Sequence, residues 1–341
     1  MRRREFVASL TGSAAALALA CAVVWPHGAQ AQPQAIPLVP LVGVLSMQTQ
    51  ASETWQLAGI RQGLRETGFT EGRNFAFDLR FAEGRNDRLS ALAADLIARR
   101  VNVIVANTTP PAIAAKKATD AAASTIPIVF AFGADPVEIG MVKSFNEPGG
   151  NITGVAFLVN TLVAKRLELL SAVTPAGAPI GMLVDANNPN APSDIRLTEA
   201  AAAALRRTLV IEKVTSENAL EQAFARLSEQ KVGSLFVAPN ANFRIWRERL
   251  LALAAQHKLP ASYSAGEFVR AGGLMSYGPD QAEVYRLAGL YAGRILKGES
   301  PAHLPVVQPT KFETMINAKT ARALGLNLPP TLLAIASEVI E

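Results

Sequence analysis

The stretch VNVIVANTTPPAIAAKKATDAAASTIPIVFAF, residues 101–132, decides the fold. Residues 101–106 form an aliphatic run interrupted only by Asn102, too short for a helix and without the alternation of a half-exposed strand. Pro110 and Pro111 then open a helical stretch over 110–123, where a missing backbone N–H costs nothing at the first turn. A second aliphatic run follows at 126–132. Two strands apolar on both faces, joined by a helix, describe a parallel sheet covered by helices on both sides.

The same alternation continues in both directions. Toward the N-terminus lie a strand-like LVPLVGVLS (38–46), helical spacing of Trp55, Leu57, Ile60 and Leu64, an alternating FAFDLRF (75–81) and a helical DRLSALAADLIARR (87–100). Toward the C-terminus, a short helix is expected from about Val137, and EPGGNITGVAF (147–157) reads as a hinge strand. The pattern restarts with helices at 160–173, 193–207, 218–229 and 243–257 around strands at 179–185, 209–214, 232–238 and 259–264. A Gly-rich break (271–280), a periodic helix (282–298) and a last strand and helix (309–326) complete the chain.

The expected fold is therefore α/β, with two doubly wound parallel-sheet lobes joined by a three-crossing hinge near 151–157, 272–279 and 305–314. Residues 38–154 plus 278–308 are assigned to lobe 1, and 155–277 plus 309–341 to lobe 2. With 341 residues, half of them apolar, the chain can fill two cores.

Residues 1–31 read as an export signal. Arg2, Arg3 and Arg4 precede an uncharged stretch, Phe6 to Trp25, and the small-residue triplet Ala29-Gln30-Ala31 marks cleavage after Ala31. Arg3-Arg4-Glu5-Phe6 resembles the twin-arginine type. A retained membrane anchor and lipidation at Cys21 are the alternatives; the Ala-rich run and Ala18 speak against them in turn. Without Arg2, Arg3, Arg4 and Glu5, the 33 basic and 28 acidic residues become 30 and 27, a net of +3, too mild for a nucleic-acid binder. Cys21 is the one cysteine, so the mature chain has neither disulfides nor cysteine metal sites.

Enzyme signatures are absent. There is no G-x-G-x-x-G after the first strand, no phosphate loop, no G-x-S-x-G and no H-E-x-x-H. His257 and His303 have no acid or serine partner in sequence, and His257 suits a helix end. No cofactor and no metal are expected.

Small polar residues recur instead where strands run out: Ser46, Thr108 and Thr109, then Asp135, in the first half; Asp185, Asn187 and Asn188, Asn240 and Asn242, then Ser264 and Glu267, in the second. Ligands of open α/β sheets bind outside the carboxyl ends of the strands. Each residue also has a local reading. Thr108, Thr109 and Asp135 suit helix caps, and the asparagines suit turns. Hydroxyls and amides at a helix start favour a carboxylate, whereas Asp135 and Glu267 favour an ammonium or sugar hydroxyls. Phe132, Phe243, Trp246 or Tyr277 would form an apolar wall. The candidate ligand contacts are Ser46, Thr108, Thr109, Asp135, Asn188, Asn240, Glu267 and Tyr277.

FGADPVEIGMVKSFNEPGGNITGV (132–155), ILKGESPAHLPVVQPTKFETMINAKTARALGLNLPPTLLA (295–334) and EGRNFAFDLRFAEGRNDRLSALAADLI (71–97) closely resemble ABC-transporter substrate-binding proteins of the tryptophan/tyrosine-binding-like group. The resemblance covers essentially the whole mature chain. It implies the type I periplasmic binding protein fold and an exported, non-catalytic receptor that delivers an amino acid-like ligand to an ABC permease. Carried over by position, it places Ser46, Thr108, Thr109, Asp135, Asn240 and Glu267 at the cleft. A periplasmic location and a monomer are expected. Other classes are a periplasmic enzyme using Asp135 and Glu267 as acid and base, a ligand sensor for a signalling receptor, and the sensor lobes of a transcription regulator.

Overall fold

The protein is described by a computed structural model over residues 39–341. The expected export signal, with Cys21 and the cleavage site after Ala31, lies outside these residues.

β1 (Leu41–Ser46), α1 (Thr54–Glu66), β2 (Ala76–Phe81), α2 (Leu89–Ala98), β3 (Val103–Asn107), α3 (Thr109–Ala121), β4 (Ile128–Phe132) and β5 (Ile152–Ala156) build the first lobe. Its sheet is parallel throughout, in the order β2-β1-β3-β4-β5. Ile104, Phe130 and Phe132 face one helical layer, and Val103, Val105 and Val129 face the other. Burial on both faces is why these strands are continuous aliphatic runs. β5 pairs with β4 along its whole length, across the position where the lobe boundary was expected.

The second lobe holds α4 (Val163–Ser171), β6 (Ile180–Asp185), α5 (Ala191–Ala204), β7 (Leu209–Val214), α6 (Ala219–Glu229), β8 (Ser234–Val237), α7 (Ala241–Ile245), α8 (Arg247–Gln256), β9 (Ala261–Tyr263), α9 (Gly266–Arg270) and β10 (Met275–Pro279). The chain then returns to the first lobe as α10 (Gln281–Leu296). It comes back as β11 (Phe312–Asn317), α11 (Ala318–Ala323), α12 (Pro330–Ala334) and β12 (Glu338–Ile340). The seven strands run in the order β12-β11-β10-β9-β8-β6-β7.

Three local expectations change. β11 runs antiparallel to β10, because the chain re-enters the sheet where β10 left it, with the Asp280 N–H donating to the Lys311 carbonyl at 2.9 Å. No helix starts at Val137: residues 136–140 form turns that end at Gly140, whose φ of +69° suits glycine. The helix expected over 243–257 is broken at Trp246 into α7 and α8.

α1 and α10 touch along their length. A Cβ on Gly63 would lie 2.0 Å from the Arg286 carbonyl oxygen, and one on Gly289 would lie 2.1 Å from that of Ile60. Glycine at both positions lets the backbones meet. This contact fixes α10, and with it Gln281 and Tyr285, on the first lobe. No helix among the described residues is long and apolar enough to cross a membrane.

Candidate functional site

The carboxyl ends of both sheets face each other across a cavity. From the first lobe it is lined by Met47 after β1, Thr108, Thr109 and Pro110 at the start of α3, Gly133 after β4, and Phe157 and Val159 on the first crossing. From the second lobe come Asp185, Asn187, Asn188 and Asn190 after β6, Asn240 to Asn242 after β8, Arg244, and Ser264 after β9. Gln281 and Tyr285 of α10 complete it.

The lobes are bonded to each other over this cavity. Gln48 Nε2 donates to the Ala241 carbonyl at 3.3 Å, Asn86 Nδ2 to that of Asn187 at 3.3 Å, and Asn190 Nδ2 to Thr109 Oγ1 at 3.1 Å.

Asp185 is the one carboxylate among the described residues lining the cavity, and it is only 1 % exposed. Its Oδ1 accepts from the Asn187 N–H at 2.9 Å and its Oδ2 from Asn242 Nδ2 at 2.8 Å. Each carboxylate oxygen has capacity for two hydrogen bonds, so acceptor positions remain for a ligand cation. Asn240 Oδ1 caps α7 by accepting from the Asn242 N–H at 2.5 Å.

Thr108 sits opposite, with φ +75° and ψ 166°. That backbone region is essentially reserved for glycine, and a threonine there stores roughly 1–3 kcal/mol of strain. Its hydroxyl is buried without a hydrogen-bond partner. The Thr108 N–H is already bonded to the Ala131 carbonyl at 2.9 Å, and Pro110 and Pro111 have no N–H. The donors left for an anion are the Thr108 and Thr109 hydroxyls, the latter accepting from Asn190, and the Thr109 N–H, a single backbone donor where a helix start usually offers several.

Thr108→Gly relieves the strain and deletes the hydroxyl. The variant is expected to melt higher, by about 1 kcal/mol after the extra entropy of glycine, and to bind ligand more weakly. Melting and calorimetry on the same sample check both signs; equal affinity would show that the hydroxyl is not a ligand contact.

The eight sequence candidates divide evenly. Thr108, Thr109, Asn188 and Asn240 line the cavity. Ser46 lies beneath it, donating from Oγ to Glu53 Oε2 at 2.7 Å. Asp135 caps its own turn, with Oδ1 accepting from the Val137 N–H at 2.8 Å and the Glu138 N–H at 3.2 Å. Tyr277 stacks on Phe312 at 6.2 Å, on the flank of the second core. Glu267 lies behind Arg244, pairing with its Nε at 3.1 Å, and borders a neighbouring groove with Trp55, Arg247 and Asp280. Asp135 and Glu267 therefore are not assembled as a pair in the cavity. The apolar wall is Met47, Phe157, Val159 and Tyr285, whereas Phe132 and Phe243 are fully buried in the two cores.

A buried polar cluster extends below the cavity. Glu53, at the start of α1, accepts from Ser46 and from Asn107 Nδ2. Burial pushes its carboxyl up to about 7, against the opposing pull of those two bonds and of Arg244. Arg166 of α4, also fully buried, donates from Nη2 to the Val237 carbonyl at 2.8 Å and the Ser262 carbonyl at 3.0 Å. It thereby ties together the strand ends that lead into Asn240 and Ser264. Neither Glu53, Arg166, Arg244 nor Tyr285 stands out in sequence, since Glu53 only precedes α1 and the other three occupy ordinary positions in helices.

The family described as ABC transporter substrate binding protein matches residues 42–340. A tyrosine-binding protein of Clostridioides difficile (strain R20291) is 28% identical over 269 residues, 79% of this chain and 76% of its own. Among solved structures, an ABC domain in complex with L-Trp from Streptococcus pneumoniae superposes with a TM-score of 0.80 at 27% identity, covering 89% of this chain and 100% of that one. The ligand-free, open structure of a substrate-binding protein with adhesive properties from Clostridium difficile gives 0.63 at 25% identity, covering 89% and 99%. Near-equal identity with unequal superposition, together with the bonds across the cleft, describes closed lobes.

Proposed function

Because the chain belongs to the ABC transporter substrate-binding protein family, we propose that it is an exported receptor that captures an amino acid with an aromatic or other hydrophobic side chain. It releases that ligand unchanged to an ABC permease, working in the periplasm as a monomer. The basic, apolar and small-residue order of residues 1–31 supports export.

The observation that carries this reading is the polarity of the cavity. The second lobe offers one buried carboxylate, Asp185, to an ammonium. The first lobe offers Thr108 and Thr109 to a carboxylate, with Met47, Phe157 and Val159 beside them and Tyr285 close by. Closure removes water from both ends, which strengthens charge-assisted bonds to each. The tyrosine-binding relative and the L-Trp complex favour the same ligand class.

A thermal-shift screen tests the proposal. L-tryptophan, L-tyrosine or L-phenylalanine at 100 times its Kd should add roughly 2.7 kcal/mol of stability. A shift by nucleosides or sugars, with none from amino acids, would overturn it.

A further inference from the structure

We propose that Arg244 is an interlobe clasp: a second-lobe guanidinium received on closure by Trp55, Gln281 and Tyr285 of the first lobe, setting how long the closed form lasts whichever ligand it holds. The inference deepens the capture reading above.

Arg244 projects from α7, the short helix that follows β8. In its own lobe, Nε pairs with Glu267 Oε1 at 3.1 Å, which orients and neutralises it. Across the cleft, Nη2 donates to Gln281 Oε1 at 3.1 Å, and the guanidinium carbon lies 5.7 Å from the centre of the Trp55 ring. Tyr285 lines the same cavity beside it. The side chain is only 14 % exposed. Trp55 and Tyr285 brace each other edge to face, with ring centres 5.2 Å apart.

Gln281 is aimed by the hinge itself. Its Nε2 donates to the Pro279 carbonyl at 3.5 Å, on the strand end where the chain crosses between lobes, which leaves Oε1 turned toward Arg244. Glu53 is the further acid near the guanidinium, held within the first lobe by Ser46 and Asn107.

The chemistry suits repeated opening. Arg244 takes Glu267 with it, and the socket it leaves consists of an indole, an amide and a phenol. Glu53, behind that socket, loses a cationic neighbour on opening but keeps its bonds from Ser46 and Asn107, so no buried carboxyl is left without a hydrogen-bond partner. What is lost is one hydrogen bond to a charged group and one cation–π contact, together worth roughly tenfold or more in lifetime. Among the described residues, the ion pair that does cross between the lobes, Arg196 with Glu138 at 3.7 Å, joins side chains that are 65% and 59% exposed, so solvent screens it.

The test reads lobe distance first without any ligand. Fluorophores on Lys117→Cys in α3 and Glu229→Cys in α6, in a mature chain with no native cysteine, report the closed fraction by energy transfer. Arg244→Gln and Gln281→Ala should each lower that fraction, and the double variant should lower it no further than the more severe single one. Stopped-flow release of L-tryptophan and L-tyrosine should then be about tenfold faster for both, with the affinity ratio of the two unchanged. Unchanged energy transfer, or additive effects in the double variant, overturns the clasp. A changed ligand ratio also overturns it, because Arg244 would then read the ligand side chain rather than hold the lobes. If Arg244→Gln does not fold, Gln281→Ala and Trp55→Leu decide in its place. If neither amino acid binds, the capture reading fails while the energy-transfer result still judges the clasp.

Discussion

Asp185→Asn is expected to weaken binding of L-tryptophan or L-tyrosine by roughly 30- to 100-fold, the loss of a hydrogen bond to a charged group worth about 2–3 kcal/mol. The substitution is close to isosteric, and the fold can absorb it. The oxygen of the introduced amide would still accept from the Asn187 N–H, as Asp185 Oδ1 does at 2.9 Å. Its nitrogen would meet the Asn242 amide, which now donates to Asp185 Oδ2 at 2.8 Å. Asn242 Oδ1 is buried without a partner, so turning that amide over presents an acceptor to the new donor. Stability should therefore stay within about 1 kcal/mol of the parent while affinity collapses. A calorimetric titration beside a melting curve separates the two. Unchanged affinity would mean that the ammonium is bound elsewhere.

Gly63→Ala is expected to destabilise the protein by about 2 kcal/mol or more, although alanine is the better helix former by about 1 kcal/mol. A Cβ at Gly63 would stand 2.0 Å from the Arg286 oxygen, 2.4 Å from the Leu290 nitrogen and 2.8 Å from the Gly289 carbonyl carbon. All three are backbone atoms, so no side chain can swing aside. α1 and α10 must separate, at a cost typical of overpacking or above it. Because α10 carries Gln281 and Tyr285 to the cavity, ligand affinity should fall as well. Urea denaturation measures the first effect; a gain in stability would show that helix propensity outweighs the contact.

Much of the architecture was legible because both sheets are buried on both faces. Residues 103–107 and 128–132 are entirely buried strands, and apolar runs suit that environment, broken only by Asn107, which donates to Glu53. The direction of β11 was not legible. It depends on where α10 returns the chain, and nothing in residues 312–317 records the identity of the neighbouring strand. Likewise, the turn at Pro136 and a true helix start share the same opening residues, Asp then Pro, so the expected helix was indistinguishable until Gly140 ended it.

The site was legible in outline only. Strand ends pointed to the cleft, and Thr108, Thr109, Asn188 and Asn240 do line it. Ser46, Asp135 and Glu267 also follow strands, but each spends its polar atoms on a nearby partner: Glu53, the turn amides and Arg244 in that order. Whether a strand-end residue faces a ligand or its own neighbours depends on those partners, which lie up to two dozen residues away. Gln281 and Tyr285 were missed for the complementary reason. They sit one helical turn apart on α10 and become cavity residues only because Gly59, Gly63, Gly289 and Gly293 bring that helix against α1.

The central claim is that one cavity holds both ends of an amino acid. Isothermal titration of the purified mature chain with L-tryptophan or L-tyrosine, beside analogues lacking the amino group or the carboxylate, tests it most directly. The account predicts one equivalent of amino acid bound per chain, with each truncated analogue at least about 30-fold weaker, because a buried partner is left unpaired at the vacated end. Analogue binding equal to that of the intact amino acid, or no binding by any member of the series, would contradict it.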